Sequence, residues 1–137
     1  MQYWLMKSEP SAYSWDDLVA EKKAMWDGVR NYAARNNMRM MEKGDRVLFY
    51  HSVKDPQVVG LAEVVRTHYP DPTADKGDWS VVDIAPLKPF NEPVHLKQIK
   101  AEPSLSEMAL VKISRLSVSP VRPAEFEKIL EMGDTAI

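Results

Sequence analysis

At Lys43-Gly44-Asp45 the spacing of apolar residues changes period, and no other feature of the chain constrains its fold as much. The segment from about Arg30 to Met41 before it repeats at helical spacing, with Gly44 placed as the left-handed stop. After it come Arg46 to His51 (RVLFYH) and Val58 to Thr67 (VVGLAEVVRT), rich in β-branched and aromatic residues. A polar turn containing Asp55-Pro56 separates these two predicted strands. The switch argues for a domain of mixed strands and helices.

The flanking sequence extends that reading. Tyr3 to Lys7 (YWLMK) reads as a buried strand ended by Ser8-Glu9-Pro10. Ser14 and Asp17 have the spacing of a capping box, which predicts a short helix through Val19. Two prolines make Tyr69 to Thr73 a loop, and Trp79 to Ile84 (WSVVDI) a further strand. Pro86, Pro89 and Pro93 call for an extended segment along a sheet edge, because proline cannot donate to a ladder. Val94 to Ile99 fits a short helix, Ser104 to Glu107 a second capping box, and Val111 to Val118 a closing strand. Pro123 to Met132 is amphipathic, with Phe126, Ile129 and Leu130 on one face and Gly133 as its end. About five to six short strands that do not alternate with long helices disfavour a doubly wound sheet. The expectation is an α+β domain spanning residues 1–137, built on a small, curved mixed sheet or β-barrel with short helices packed around it. With 45% hydrophobic residues the chain can fill one core without disulfide or metal staples.

Absent residues narrow the chemistry. No cysteine is present, so thiolate metal sites, thiol nucleophiles and disulfides are excluded. The N-terminal MQYWLMKSEP lacks the form of a signal peptide, and no apolar run approaches the roughly 20 residues of a membrane span. A cytoplasmic protein without a membrane partner is expected. His51, His68 and His95 show no metal-ligand spacing, and the five glycines form no phosphate-binding loop. Ser117 and Ser119 lack the glycine pattern of a nucleophile elbow, and adjacent Asp16 and Asp17 diverge on a helix. No catalytic constellation, metal site or cofactor site emerges.

The charge distribution is more informative than the net charge of -2. From Lys22 to Lys54 there are eight basic residues (Lys22, Lys23, Arg30, Arg35, Arg39, Lys43, Arg46, Lys54) against three acidic ones (Asp27, Glu42, Asp45), an excess of +5. Such a region can supply the phosphate attraction that dominates nucleic-acid affinity, or it can be a solvated surface. Within it lies WDGVRNYAARNN, residues 26–37. At 100° per residue Val29, Tyr32, Ala33 and Met40 share a face, predicted to meet the core. Asn36 falls in the middle of that face, as either a tie to a neighbouring loop or the lining of a polar cavity. Arg35 and Arg39 share another flank with Asn31, suited to phosphate. Trp26, ahead of the helix, is either a plug at the end of the core or a platform for a base, since every base offers a π face.

Taken together, MKSEPSAYSWDDL, WDGVRNYAARNNMR, GDRVLFYHS, VGLAEVV and ALVKISRLSVSPV, in this order and spacing, resemble the EVE domain family over essentially the whole chain. One departure is Ala33, where many relatives are expected to carry glutamine, so a ligand contact from that side chain is absent here. The resemblance implies a PUA-like β-barrel that reads DNA or RNA and accommodates a modified base in a pocket, without a cofactor. Matched motif by motif, the implied pocket residues are Lys7, Ser8 and Glu9 and, at the helix start, Trp26, Gly28, Val29, Arg30 and Asn31. Tyr50, His51 and Ser52 from FYHS and Arg115, Leu116 and Ser117 from RLS complete it, with Arg35 beside them. In that scheme Trp26 walls in the base, Ser8, Asn31 and Ser52 bond its edge, and Arg30, Arg35 and Arg115 hold the backbone. Val29 would favour a methyl-bearing base. A monomer is expected. The rival readings are a nuclease component or base-modifying enzyme on a similar substrate, and a small-molecule or protein-interaction domain.

Overall fold

The computed structural model describes residues 1–137. In chain order the elements are β1 (Tyr3–Ser8), α1 (Trp15–Glu21), β2 (Ala24–Met25), α2 (Tyr32–Met40), β3 (Arg46–His51) and β4 (Gln57–Pro70). These are followed by β5 (Ser80–His95), α3 (Leu96–Ala101), a 3-10 turn (Pro103–Leu105), α4 (Ala109–Lys112), β6 (Val118–Val121) and α5 (Pro123–Met132). One six-stranded mixed sheet runs in the order β2-β5-β4-β3-β1-β6. β1 and β3 are parallel, pairing Tyr3 with Arg46 through to Ser8 with His51, and the other neighbours are antiparallel. The order leaves β2 and β6 as edges, so the sheet does not close and "barrel" describes it only loosely.

The unbroken apolar runs of β1 and β3 follow from burial on both faces. Trp4, Met6, Val47 and Phe49 point to one side, where Trp15 and Leu18 of α1 and Ala34 and Met38 of α2 cover them. Leu5, Leu48 and Tyr50 point to the other, under Ile99, Leu110, Phe126, Ile129 and Leu130 of α3, α4 and α5. The three prolines fall within one long strand, β5, rather than after a short one. β2 reaches only Asp83 and Ile84, so β5 from Ala85 onward has a strand partner on one side alone; at Asn91 and Glu92 its amides donate to Thr135 Oγ1 and Gly133 O, and the prolines stand where no donor is required. The Ser14–Asp17 capping box forms as expected: Asp17 N donates to Ser14 Oγ at 3.1 Å and Ser14 N to Asp17 Oδ2 at 2.9 Å.

Several expectations need correction. The apolar face of α2 is Ala34 and Met38, continued by Met41, while Tyr32 and Met40 are 67% and 60% exposed and Ala33 is exposed. Val29 lies before the cap in non-helical chain, so extrapolating its direction at 100° per residue rotated the face wrongly. Asn36 consequently points outward and accepts from Arg35; the inward amide is Asn37, whose Nδ2 donates to Val118 O at 2.7 Å. The helix ends at Met40 with an extended Met41, so left-handed Gly44 (φ 95°) shapes the turn into β3 rather than the stop. Ser104 starts no helix: Glu102 caps the 3-10 turn through Ser104 N. α4 takes the first part of the expected closing strand, and β6 begins only at Val118, where Met6 to Tyr3 offer their open edge. β4 runs on through Pro70, and the two-residue β2 has no sequence signal of its own. Gly133 does end α5, for a spatial reason: a Cβ there would lie 2.4 Å from the Phe90 ring.

No helix is long and apolar enough to cross a membrane.

Candidate nucleic-acid interface

A cavity of about 690 Å³ opens at the C-terminal end of β1, within the size range of small-ligand sites. Lys7, Ser8, Glu9, Ala12 and Tyr13 line one side, and Glu21, Lys23, Ala24 and Met25 line the join of α1 to β2. Trp26 to Arg30 and Ser117 complete the wall. Sheet hydrogen bonding carries β1 to this place: Lys7 N donates to Ser117 O and Ser52 N to Ser8 O, both at 2.9 Å. Ser8, a lining residue, donates its Oγ proton to Tyr13 O at 2.5 Å, so the hydroxyl is left to act as an acceptor.

Trp26 is a wall built into the core. Its amide donates to Val82 O at 2.8 Å, and its ring meets Phe49 and Tyr13 edge-on at 5.6 and 6.3 Å. It is 9% exposed. After it the chain turns through Gly28 at φ 78°, a conformation open to glycine; the space around its absent Cβ is empty, so conformation rather than room selects the residue.

Asp71 fixes that turn from across the fold. Its Oδ2 accepts from Gly28 N at 3.0 Å and from Arg30 Nη1 at 2.9 Å, and its Oδ1 accepts from Thr73 N and Thr73 Oγ1, both at 2.7 Å. Burial pushes the carboxyl's pKa up. The bonds from Thr73, Arg30 and Gly28 together outweigh that and hold it at about 2. Arg30 also donates to its own neighbour, Val29 O, at 2.9 Å. Val29 is thereby presented to the cavity from a braced loop.

Two other lining groups are tuned by burial. The Lys7 ammonium, bonded to Ser114 O at 2.8 Å, has its pKa lowered by desolvation. The Tyr13 hydroxyl is sealed from solvent; burial, then the Glu21 carboxylate beside it and that of Asp17, raise its pKa. Lining cations (Lys7, Lys23, Arg30) and carboxylates (Glu9, Glu21, Asp27) are equal in number, so the cavity is not itself basic.

Eight of the fifteen residues expected at the pocket share this lining: Lys7, Ser8, Glu9, Trp26, Gly28, Val29, Arg30 and Ser117. The other seven lie outside it. Asn31 caps α2, its Oδ1 accepting from Ala34 N at 2.9 Å. Arg35 reaches Asp78 O at 3.0 Å; Tyr50 and Leu116 are buried in opposite cores. His51 Nε2 accepts from Trp15 N at 3.0 Å, Ser52 meets Ser8 through its backbone, and Arg115 is exposed. Arg39, grouped with Arg35 for phosphate, is tied to Ser80 Oγ and Asp78. Tyr13 and Asp27 sat unremarked within motifs already singled out. Glu21, Ala24, Met25 and Asp71 gave no signal, because β2 is two residues long and Asp71 is 43 residues from Gly28; in the sequence Lys23 is only one cation of the basic stretch.

A mixed sheet covered by helices on both faces, with an aromatic-walled, hydroxyl-bearing cavity at the end of its parallel pair, defines a PUA-like binding module. The chain belongs to the EVE domain family, whose model matches residues 2–132. It is similar to a protein of known structure from Agrobacterium tumefaciens (46% identity, TM-score 0.96, covering 99% of this chain and 95% of that one). It is also similar to human THYN1 protein, solved in complex with 5-methylcytosine-containing DNA (31% identity, TM-score 0.91, 100% of both chains). Mouse thymocyte nuclear protein 1 is 36% identical over 97% of this chain and 74% of its own length. An ASCH protein from Zymomonas mobilis, 11% identical with a TM-score of 0.61, shares the fold alone.

Proposed function

We propose that this chain is a non-enzymatic, single-domain module that binds DNA and takes a modified base, 5-methylcytosine or a close analogue, into the cavity beside Trp26. The observation that carries the reading is the likeness, over the whole of this chain, to the solved chain of human THYN1, whose structure holds 5-methylcytosine-containing DNA. The cavity chemistry supports it. Trp26 offers an indole wall, Val29 an apolar contact for a methyl group, and Ser8 an acceptor for an exocyclic amine. Arg30 stands at the rim with its side chain 39% exposed, in reach of a phosphate. Extruding a base costs a few kcal/mol, less for a damaged or single-stranded one. We place the protein inside the cell, with its nucleic acid.

The test is titration of the purified protein with fluorescent oligonucleotides that differ only in one 5-methyl group, at several salt concentrations. Tighter binding of the methylated strand, with affinity falling as salt rises, is expected. Equal affinity for both strands removes the reading.

A further inference from the structure

Outside the cavity, Tyr32 and Trp79 stack with ring centroids 5.1 Å apart and planes 21° apart. Two arginines attend the stack. The Arg30 guanidinium lies 5.6 Å from the Trp79 ring, and that of Arg35 lies 5.0 Å from Tyr32 and 5.6 Å from Trp79. The three distances among Tyr32, Trp79 and Arg35 make a nearly equilateral triangle. Arg35 therefore sits beside the pair; a cation over Tyr32's outer face would be about twice as far from Trp79. That outer face is uncovered, and Tyr32 is 67% exposed at the start of α2. The inner ring is held in place: left-handed Gly77 (φ 95°) leaves room for it, since a Cβ there would sit 2.7 Å from Trp79 Nε1. Arg35 and Arg39 further pin the Trp79 segment through Asp78 O.

This platform is continuous with the cavity. Arg30 lines the cavity and also lies against Trp79, so one side chain joins the two surfaces. An aromatic face with cations at its edge is complementary to a nucleobase and its phosphates, and stacking of this kind tolerates any base. A base drawn into a pocket leaves its neighbour without a stacking partner.

We propose that the outer face of Tyr32 receives the nucleobase next to the one held in the cavity, with Arg30 and Arg35 beside the phosphate that joins the two nucleotides; this rests on the base-reading function above. The Tyr32–Trp79–Arg35 group then contributes affinity that does not depend on the modification, and the cavity contributes the modification preference.

The experiment uses single-stranded DNA carrying one internal 5-methylcytosine or cytosine, with an abasic residue placed on either side in turn. Tyr32→Ala is expected to lose roughly tenfold in affinity for both strands, leaving their ratio unchanged. In the wild type an abasic residue on one side should cost a similar factor, and in Tyr32→Ala it should cost nothing more. Tyr32→Leu, which still covers Trp79 but has no ring face, should fall with Tyr32→Ala, and Tyr32→Phe should bind as wild type. Full affinity in Tyr32→Ala or Tyr32→Leu, or additive losses from the variant and the abasic residue, overturns the platform while leaving the base reader standing. A wild type with no methyl preference overturns the base reader instead, and no binding at all overturns both.

Discussion

Asp71 and Arg30 meet at 2.9 Å with the aspartate side chain wholly buried and the arginine side chain 39% exposed. An ion pair so placed is anchored at one end and available at the other. The same carboxylate oxygen takes the Gly28 amide, so the turn that presents Val29 and Arg30 is set by a residue on the loop after β4. Position, more than charge attraction, is what this pair supplies.

Asp71→Asn tests that statement. Both carboxylate oxygens accept from donors, so an amide NH₂ must face N–H or O–H groups whichever way it is turned. The expected cost is about 1–3 kcal/mol of stability, read from the urea midpoint, together with weaker binding of methylated oligonucleotide. A variant with the wild-type midpoint would falsify the positioning role.

Stability should fall with acid in two stages. His51 is half-buried and accepts the Trp15 amide through Nε2, so its neutral form is the folded one; partial burial lowers its pKa from 6.5, with Asp16 opposing. A depressed histidine stabilises the fold above its unfolded value and loses that contribution as pH drops below 6.5. Asp71, at about 2 when folded and 3.8 unfolded, contributes up to about 2 kcal/mol above pH 3.8 and loses it toward pH 2. Urea midpoints across pH should show both stages, and His51→Gln should abolish the first while keeping the second.

The sheet was legible in the sequence wherever local pattern and burial agreed. RVLFYH and YWLMK read as strands because residues buried on both faces are apolar without alternation, and Ser14 with Asp17 announced α1. What failed depended on tertiary partners. The phase of α2 is set by Ala34 and Met38 packing on the sheet, yet Tyr32 and Met40 are as apolar and lie outside. Val111 to Ser117 is β-prone, but β1 offers its edge to Val118–Val121. The site divides in the same way: Lys7 to Glu9 and Trp26 to Arg30 lie on the cavity as contiguous segments, and Asp71, which holds one of them, is visible only once the fold is known.

Gly60 on β4 should resist even one added carbon. A Cβ there would fall 2.4 to 2.5 Å from three atoms of the Trp15 ring, itself packed edge-on against Phe49. Gly60→Ala is expected to destabilise by about 1–3 kcal/mol, as overpacked cores do. Thermal unfolding of the single variant and of Gly60→Ala with Trp15→Phe checks it: the smaller ring should recover part of the loss, and strict additivity would place the strain elsewhere.

Trp26 and Val29 should separate on a two-way assay of stability and methyl preference. Trp26 is locked between Phe49 and Tyr13, so Trp26→Ala leaves a core cavity and is expected to cost about 3–5 kcal/mol. Lost binding in that variant therefore reports damage to the fold as much as loss of a base contact, and both methylated and unmethylated oligonucleotides should suffer together. Val29, 7% exposed and braced by Arg30 and Gly28, can lose its methyl groups with a smaller change in unfolding midpoint. Val29→Ala should weaken binding of the methylated strand alone, bringing the two affinities toward each other. If the ratio survives in Val29→Ala, the 5-methyl group is met by another part of the wall, and Ala12, Ala24 and Met25, further apolar residues of the lining, become the residues to vary.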